Sequence, residues 1–349
     1  MADKDANAQP RDAVADLKRI ALLLELANEP SFRVRAFRNA AATVQELGPE
    51  ALAEHVRRGT LRTLTGIGDV TERTISESVR GEEPVYLRRL EATGGRMIAE
   101  IGGELCAALK GDCHVHSDWS DGGSPIREMA ETAVELGHEY MVLTDHSPTL
   151  TVANGLSAER LERQLNDVEK LNAQLAPFRI LTGIEVDILS DGSLDQSDEL
   201  LSRLDVVVGS VHSLLRSPSK PMTTRMVTAL ADPHLDILGH CTGRMRTRKR
   251  NRPPSEFDAE IVFAAAAHFD KAVEVNSRPE RLDPPKRLLR LAVEAGCKVS
   301  IDSDAHAPGQ LGWLPNGCDR AAACGVHIGS VVNALEADAL LAWAAAHEG

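Results

Sequence analysis

Short β-branched runs recur through the last two thirds of the chain, and each carries a histidine or a carboxylate at or near its C-terminal end. The runs are YMVLTDH, FRILTGIEVDI, LDVVVGSVH, LDILGH, KAVEVNS and CKVSIDSDAH, and GDCHVHS stands where a first strand belongs. The landmark residues His114, His146, Glu185, His212, His240, Glu274 and Asp304 lie 32, 39, 27, 28, 34 and 30 residues apart. Each interval has room for one strand and one helix, so the pattern predicts βα units around a parallel sheet. An open sheet has no reason to place polar groups at every strand end. A closed barrel does, because its strand C-termini converge on one face.

Residues up to about 105 carry no strand signal. Helical periodicity runs from Arg11 to Asn28 and from about Phe32 to Leu47, with shorter helices near 51–58, 70–80 and 84–92. The expected division is therefore a helical domain, 1–105, followed by an α/β domain, 106–349.

Composition narrows the function. The net charge is −13, yet residues 1–105 are nearly balanced, with 15 Lys+Arg against 17 Asp+Glu. An acidic surface disfavours phosphate-rich partners unless the acids hold cations that invert the local field. No apolar stretch approaches the ~18 residues of a membrane span, and no cleavable leader opens the chain. Six scattered cysteines without a CxxC pair indicate neither a disulfide framework nor a thiolate zinc site. The expected location is a reducing cytoplasm, with no membrane partner.

Nine residues form the candidate metal set: His114, His116, Asp121, His146, Glu185, His212, His240, Asp304 and His306. His114 and His116 alternate on a strand and share a face. Imidazole and carboxylate donors without cysteine suit manganese, zinc or iron in open, catalytic sites. The other six histidines (His55, His138, His234, His268, His327 and His347) sit in helical or loop contexts. Cys113 and Cys241 adjoin candidate ligands, so they point to the opposite face as small packing residues.

The blocks DCHVHSDWSDG, TDH, GIEVDI, GSVHS, LGHCTGR, EVNSRPERLD and SDAH resemble the PHP (polymerase and histidinol phosphatase) family of metal-dependent phosphoesterases. The GHxTGR and ExNxxPxRLD forms look most like the PHP domain of bacterial family X DNA polymerases. The resemblance implies a distorted seven-stranded, (β/α)7 TIM-like barrel with a site for three divalent metal ions, manganese being the expected activator. It implies His114, His116, Glu185 and Asp304 around one ion, and Glu185, His212 and His240 around a second. Asp121, His146 and His306 would hold the third. Glu185, Asp304, His240 and Arg244 are the expected catalytic residues. Such a cluster suits hydrolysis of a phosphate ester by an activated water.

Substrate contacts are read from neighbouring residues. Arg244 opens a basic run, RMRTRKRNR, after the fifth strand, and is the first candidate for holding a phosphate; the run could equally be a solvated loop. Arg278 and Arg281 follow it. Trp119, between His116 and Asp121, suits either a core position or stacking on a base. Glu274 and Asn276 read as residues that orient ligands.

The segment LRTLTGIGDV resembles a helix-hairpin-helix, in which Gly66 and Gly68 would expose amides to a DNA phosphate. LANEPSFRVRAFRNAAATVQEL resembles the N-terminal domain of bacterial family X polymerases, with Arg33, Arg35 and Arg38 on one segment. Asp69 and Glu72 stand where the hairpin often has lysine and a small residue. No lysine lies between Lys18 and Lys110, so a Schiff-base lyase is not expected. Fewer than twenty residues separate Gly94 from Asp112, where such polymerases carry palm and fingers, so polymerase activity is not expected. The leading expectation is a 3′–5′ exonuclease, with possible 3′-phosphatase action, on DNA or RNA 3′ ends. A histidinol-phosphate-type small-molecule phosphatase is the first rival. A DNA-binding scaffold with a vestigial PHP domain is the second.

Overall fold

Asp12 begins the first helix by accepting the amide hydrogens of Val14 and Ala15 at 2.9 and 3.1 Å. That helix, α1 (Ala13–Leu26), buries Leu17, Ile20, Ala21 and Leu24, a stripe at three- and four-residue spacing. It packs against α2 (Ser31–Leu47), which buries Val34, Phe37, Ala41 and Val44. Each buried leucine or isoleucine stabilises by about 1.5–3 kcal/mol, so a charge at Leu24 would open this core. In this computed structural model residues 9–94, 97–247 and 251–348 are described. The chain divides into two compact units, Met1–Met97 and Ile98–Gly349.

The second unit is a nearly closed parallel barrel of seven strands. These are β1 (Gly111–Val115), β2 (Tyr140–Leu143), β3 (Arg179–Asp187), β4 (Val206–Ser210), β5 (Ile237–Leu238), β6 (Ala272–Asn276) and β7 (Lys298–Asp302). Every strand pairs in parallel with the next in sequence. Just past the end of β7, Ala305 bridges to Val115, and the His116 amide donates to its carbonyl at 2.8 Å. The (β/α)7 expectation is met.

Distortion enters at β3. Its first half, Arg179–Thr182, pairs with β2 and its second half, Gly183–Asp187, pairs with β4. Gly183 marks the change of partner, where a Cβ would lie 2.6 Å from the Val206 carbonyl oxygen and 2.7 Å from Val142. The strands are buried on both faces, as parallel strands under helices must be. Cys113 and Cys241 are buried in apolar clusters, as packing residues.

The division expected at residue 105 falls inside a helix, Gly103–Ala108. That helix lies in the second unit, where Leu105 and Leu109 join a cluster with Ile301, Leu314 and Cys318. Helical periodicity alone could not tell on which unit it packs. No helix among the described residues is long and apolar enough to cross a membrane.

Candidate metal centre

Strand alternation places the donors. His114 on β1 and His116 just past its end, and Glu185 and Asp187 on β3, each sit two residues apart and share a face. Loops leaving the strand ends add Asp121, His146, His212, His240, Asp304 and His306. All nine expected positions converge.

Glu185 lies at the middle. Its Oε1 is 2.8 Å from His240 Nε2 and 3.3 Å from His212 Nε2. Its Oε2 is 2.9 Å from His146 Nδ1, 3.3 Å from His114 Nε2 and 3.5 Å from His116 Nε2. Asp121 Oδ1 stands 3.3 Å from His306 Nε2 and 3.5 Å from His146 Nε2. Three groupings hold their donor atoms within 4.8 Å of one another: His116, Asp121, His146 and His306; His114, His116 and Glu185; His146, Glu185 and His212. The groupings differ from the expected partition: His146 also joins Glu185 and His212, and His240 and Asp304 fall outside all three groups. His116 also sides with the Asp121 group, its ring centroid 4.1 Å from that of His306. Order along the chain does not say which strand ends meet in space.

The donors fit cations. His114 Nε2, His116 Nε2, His212 Nε2, His240 Nε2 and both oxygens of Glu185 are buried with no hydrogen-bond partner. A protein interior rarely leaves so many polar atoms unpaired, and divalent ions would satisfy them together.

The charges of the cluster shift one another. Burial opposes charge on Glu185, yet His114, His146 and His212 hold its carboxyl well below the usual range. Burial likewise opposes charge on His212, but Glu185 and Asp187 push it up to about 9. His116 moves the other way: burial, reinforced by His306 and His146, holds it well below the ordinary value. Neutral imidazole is the form that binds a metal.

Outer partners orient the ring. His114 Nδ1 donates to Glu274 Oε1 at 2.6 Å, leaving Nε2 aimed at the centre. Glu274 Oε2 accepts the His240 amide, and Asn276 Nδ2 donates to Asp304 Oδ2 at 3.1 Å. Both residues thus contact candidate ligands. Asp187 and Asp145 were missed. Asp187 Oδ1 accepts the His212 amide at 3.0 Å, and Asp145 is cradled by Ser117, Ser120 and Gln164. Their signal was present: Asp187 is two residues past Glu185, and Asp145 adjoins His146.

Arg244 departs from the phosphate-holding expectation. It is 8% exposed; its Nε donates to the Arg281 carbonyl at 2.7 Å and its Nη2 to the Leu282 carbonyl. Its guanidinium is spent on backbone. The cation that does reach the cluster is Arg281, whose Nε lies 2.9 Å from Asp304 Oδ2. Burial works against Asp304, but Arg281 holds its carboxyl well below the usual range. Arg278 Nη1 reaches within 3.4 Å of His306 Nδ1. Trp119 packs against two apolar clusters, while its carbonyl accepts Asn154 Nδ2 at 3.2 Å. Within the basic run, Arg248, Lys249 and Arg250 lie outside the described residues.

The helical unit holds the hairpin pair. Gly66 adopts φ +84°, and Gly68 precedes the helix Asp69–Val79. Asp69 is paired with Arg62 at 2.8 Å. Arg33 pairs with Glu29 at 2.6 Å and Arg38 with the buried Glu25 at 2.7 Å, which leaves Arg35 exposed and without an ion pair among the described residues.

A nearly closed parallel barrel with a histidine–carboxylate cluster at its strand ends is built for metal-assisted hydrolysis, with donors for more than one divalent ion. Residues 112–278 match the PHP domain family, and residues 8–83 match a helix-hairpin-helix domain family. The chain is a PHP-domain protein of the metal-dependent phosphoesterase class, with a helix-hairpin-helix domain ahead of the barrel. It is 42% identical over 226 residues to the DNA polymerase/3′-5′ exonuclease PolX of Bacillus subtilis, covering 65% of this chain and 39% of the polymerase. It is 29% identical over 212 residues to a protein named "Probable phosphatase" from Thermoanaerobacter sp. strain X514, covering 58% of this chain and 80% of that one. Among solved structures, histidinol phosphate phosphatase from Lactococcus lactis matches with a TM-score of 0.44 at 19% identity, over 63% of this chain and 95% of that chain.

Proposed function

We propose that this chain hydrolyses phosphodiester bonds at nucleic-acid 3′ ends, as a 3′–5′ exonuclease acting on DNA or RNA. One observation carries the reading: a largely buried histidine–carboxylate cluster centred on Glu185 lies in a chain that also bears a helix-hairpin-helix domain. The 42% identity to a protein named for 3′-5′ exonuclease activity supports it. The Gly68 amide donates to Thr71 Oγ1 at 2.9 Å, so the hairpin amide of Gly66, with Arg35, would take a phosphate of the strand.

In this reading His114, His116, Asp121, His146, Glu185, His212, His240, Asp304 and His306 hold divalent ions, manganese being the activator. When bound, such ions supply a hydroxide nucleophile near neutral pH and neutralise charge on the phosphoryl oxygens. Glu185 spans the cluster, Glu274 fixes the His114 tautomer, and Arg281 fixes Asp304. Arg278, beside His306, meets the substrate phosphate. Trp119 shapes the mouth of the site from its packed position.

The second reading is a small-molecule phosphatase, favoured by the similarity to a protein named as a phosphatase over 80% of its length. Incubating the manganese-loaded protein with end-labelled DNA, labelled RNA and histidinol phosphate in parallel separates the two. Stepwise shortening from the 3′ end supports the nuclease. Turnover of histidinol phosphate alone would replace it with the phosphatase.

A further inference from the structure

Asp121 lies on the loop after β1, and His146 opens the loop after β2. The Asp121 side chain is 37% exposed, whereas that of Glu185 is 1% exposed. Water therefore competes for Asp121 more than for Glu185, and the geometry of its loop decides how well it holds an ion. The helix Ala158–Leu175 follows the second loop and is seated on the barrel by buried Leu161, Gln164 and Val168. Arg160 and Gln164 stand four residues apart, on one face of it. Gln164 Nε2 donates to Asp145 Oδ2 at 2.6 Å, and Asp145 in turn accepts the hydroxyls of Ser117 and Ser120. Arg160 Nη2 donates to the Trp119 carbonyl. One helix face thus grips the loop after β1 at three residues, the last directly before Asp121.

The same guanidinium holds the loop after β2. Its Nη1 donates to the Asn154 carbonyl at 2.7 Å and to the Gly155 carbonyl at 3.1 Å. Asn154 Nδ2 reaches back to the Trp119 carbonyl at 3.2 Å. Glycine is required at 155, since a Cβ would lie 1.8 Å from the Ser147 carbonyl oxygen. The next residue, Leu156, donates its amide to the His146 carbonyl at 2.7 Å, so the loop closes back on a donor. The far side of the Asp121 loop is tied to another donor, through the Gly123 amide and the His306 carbonyl at 2.7 Å. Arg160 therefore joins the two segments that bring Asp121 Oδ1 within 3.5 Å of His146 Nε2. Both of its terminal nitrogens face carbonyls, so its part is to set backbone geometry.

We propose that Arg160 is a positioning residue for an outer ion: by clasping the carbonyls of Trp119, Asn154 and Gly155 it holds Asp121 against His146 and His306, and so sets the affinity of that ion apart from those around Glu185. The assignment rests on the reading of the cluster as a metal centre, and it names the ion most easily lost.

The test titrates the chelator-stripped full chain with divalent manganese and follows the free ion by electron paramagnetic resonance, a readout independent of turnover. Arg160→Ala should weaken the last ion to bind about 10- to 100-fold and leave the tighter ones unchanged. Asp121→Asn should weaken the same ion, and adding Arg160→Ala to it should cost little more, because the arginine acts through that carboxylate. Arg163→Ala, three residues along the same helix and exposed, should bind as the wild type does. Asn154→Gly keeps the left-handed backbone at φ +55° and drops only the Nδ2 bond, so it should weaken the same ion in a folded chain. An unchanged last ion in Arg160→Ala or, should that chain not fold, in Asn154→Gly overturns the proposal while the metal centre stands. An equal loss for every ion, or additive losses in the double variant, does the same, because a merely structural arginine would loosen the site as a whole. A wild type that binds no manganese overturns the metal centre and the clasp with it.

Discussion

Glu185 Oε1 lies 2.8 Å from His240 Nε2, while neither atom has a hydrogen-bond partner and both are buried. Close approach without a hydrogen bond is the signature of two donors arranged around a shared cation. The other Glu185 oxygen repeats it with His114 and His146. One carboxylate, on β3, thus joins five histidines from four other strand ends.

Glu274 acts one step outside this centre. Glu274→Gln keeps the shape but weakens the hold on His114 Nδ1 and on the His240 amide. Metal affinity, measured by competition with a chelating dye, should fall about 10- to 100-fold. Unchanged affinity would mean that His114 is not a ligand.

Arg244→Ala should act on stability. It removes two buried, charge-assisted hydrogen bonds to the Arg281 and Leu282 carbonyls, a loss of roughly 1–3 kcal/mol. Urea unfolding should show it, and turnover of a small phosphodiester should fall through a displaced Arg281. A raised KM with an unchanged urea midpoint would restore the phosphate-holding role.

That reversal shows where sequence reading reached its limit. The barrel was legible because every strand run carries a donor at or near its end, and the spacing of His114, His146 and Glu185 leaves one βα unit per interval. The donor set was legible because alternation on a strand is a local rule. Arg244 was misread because position in a motif does not say which way a long side chain turns. The carbonyls that capture it come from Arg281 and Leu282, nearly forty residues away. Arg33 and Arg38 were opaque for the same reason: Glu29 and Glu25 neutralise them in the folded unit.

His138 sets a pH dependence. Burial pushes its imidazole down to about 4, and its Nδ1 has no hydrogen-bond partner. The unfolded chain takes up that proton near pH 6.5, so between about 6.5 and 4 the unfolded state binds more protons. Stability should fall as pH falls through that window. His138→Gln should flatten the decline in urea titrations at pH 7 and pH 5. An identical slope would mean that His138 titrates alike in both states.

Truncation tests the place of the helix Gly103–Ala108. Asp319 accepts the amides of Glu100, Ile101 and Gly102 at 3.1, 2.9 and 2.8 Å. A chain starting at Ile98 keeps these bonds and the burial of Leu105 and Leu109. One starting at Gly111 loses them, at about 1.5–3 kcal/mol for each leucine. Differential scanning calorimetry should show a lower melting temperature for the shorter chain. Equal melting temperatures would mean that the helix is dispensable to the barrel.

The most direct measurement is metal add-back. The protein is stripped with chelator, divalent manganese is returned in steps, and bound metal and hydrolysis of a chromogenic phosphodiester are followed on the same samples. Activity should be absent without metal and should rise with metal bound, reaching its plateau only when more than one ion per chain is held. Glu185→Gln should neither fill nor recover. Full turnover in chelator, or in Glu185→Gln, would contradict a metal centre built around Glu185.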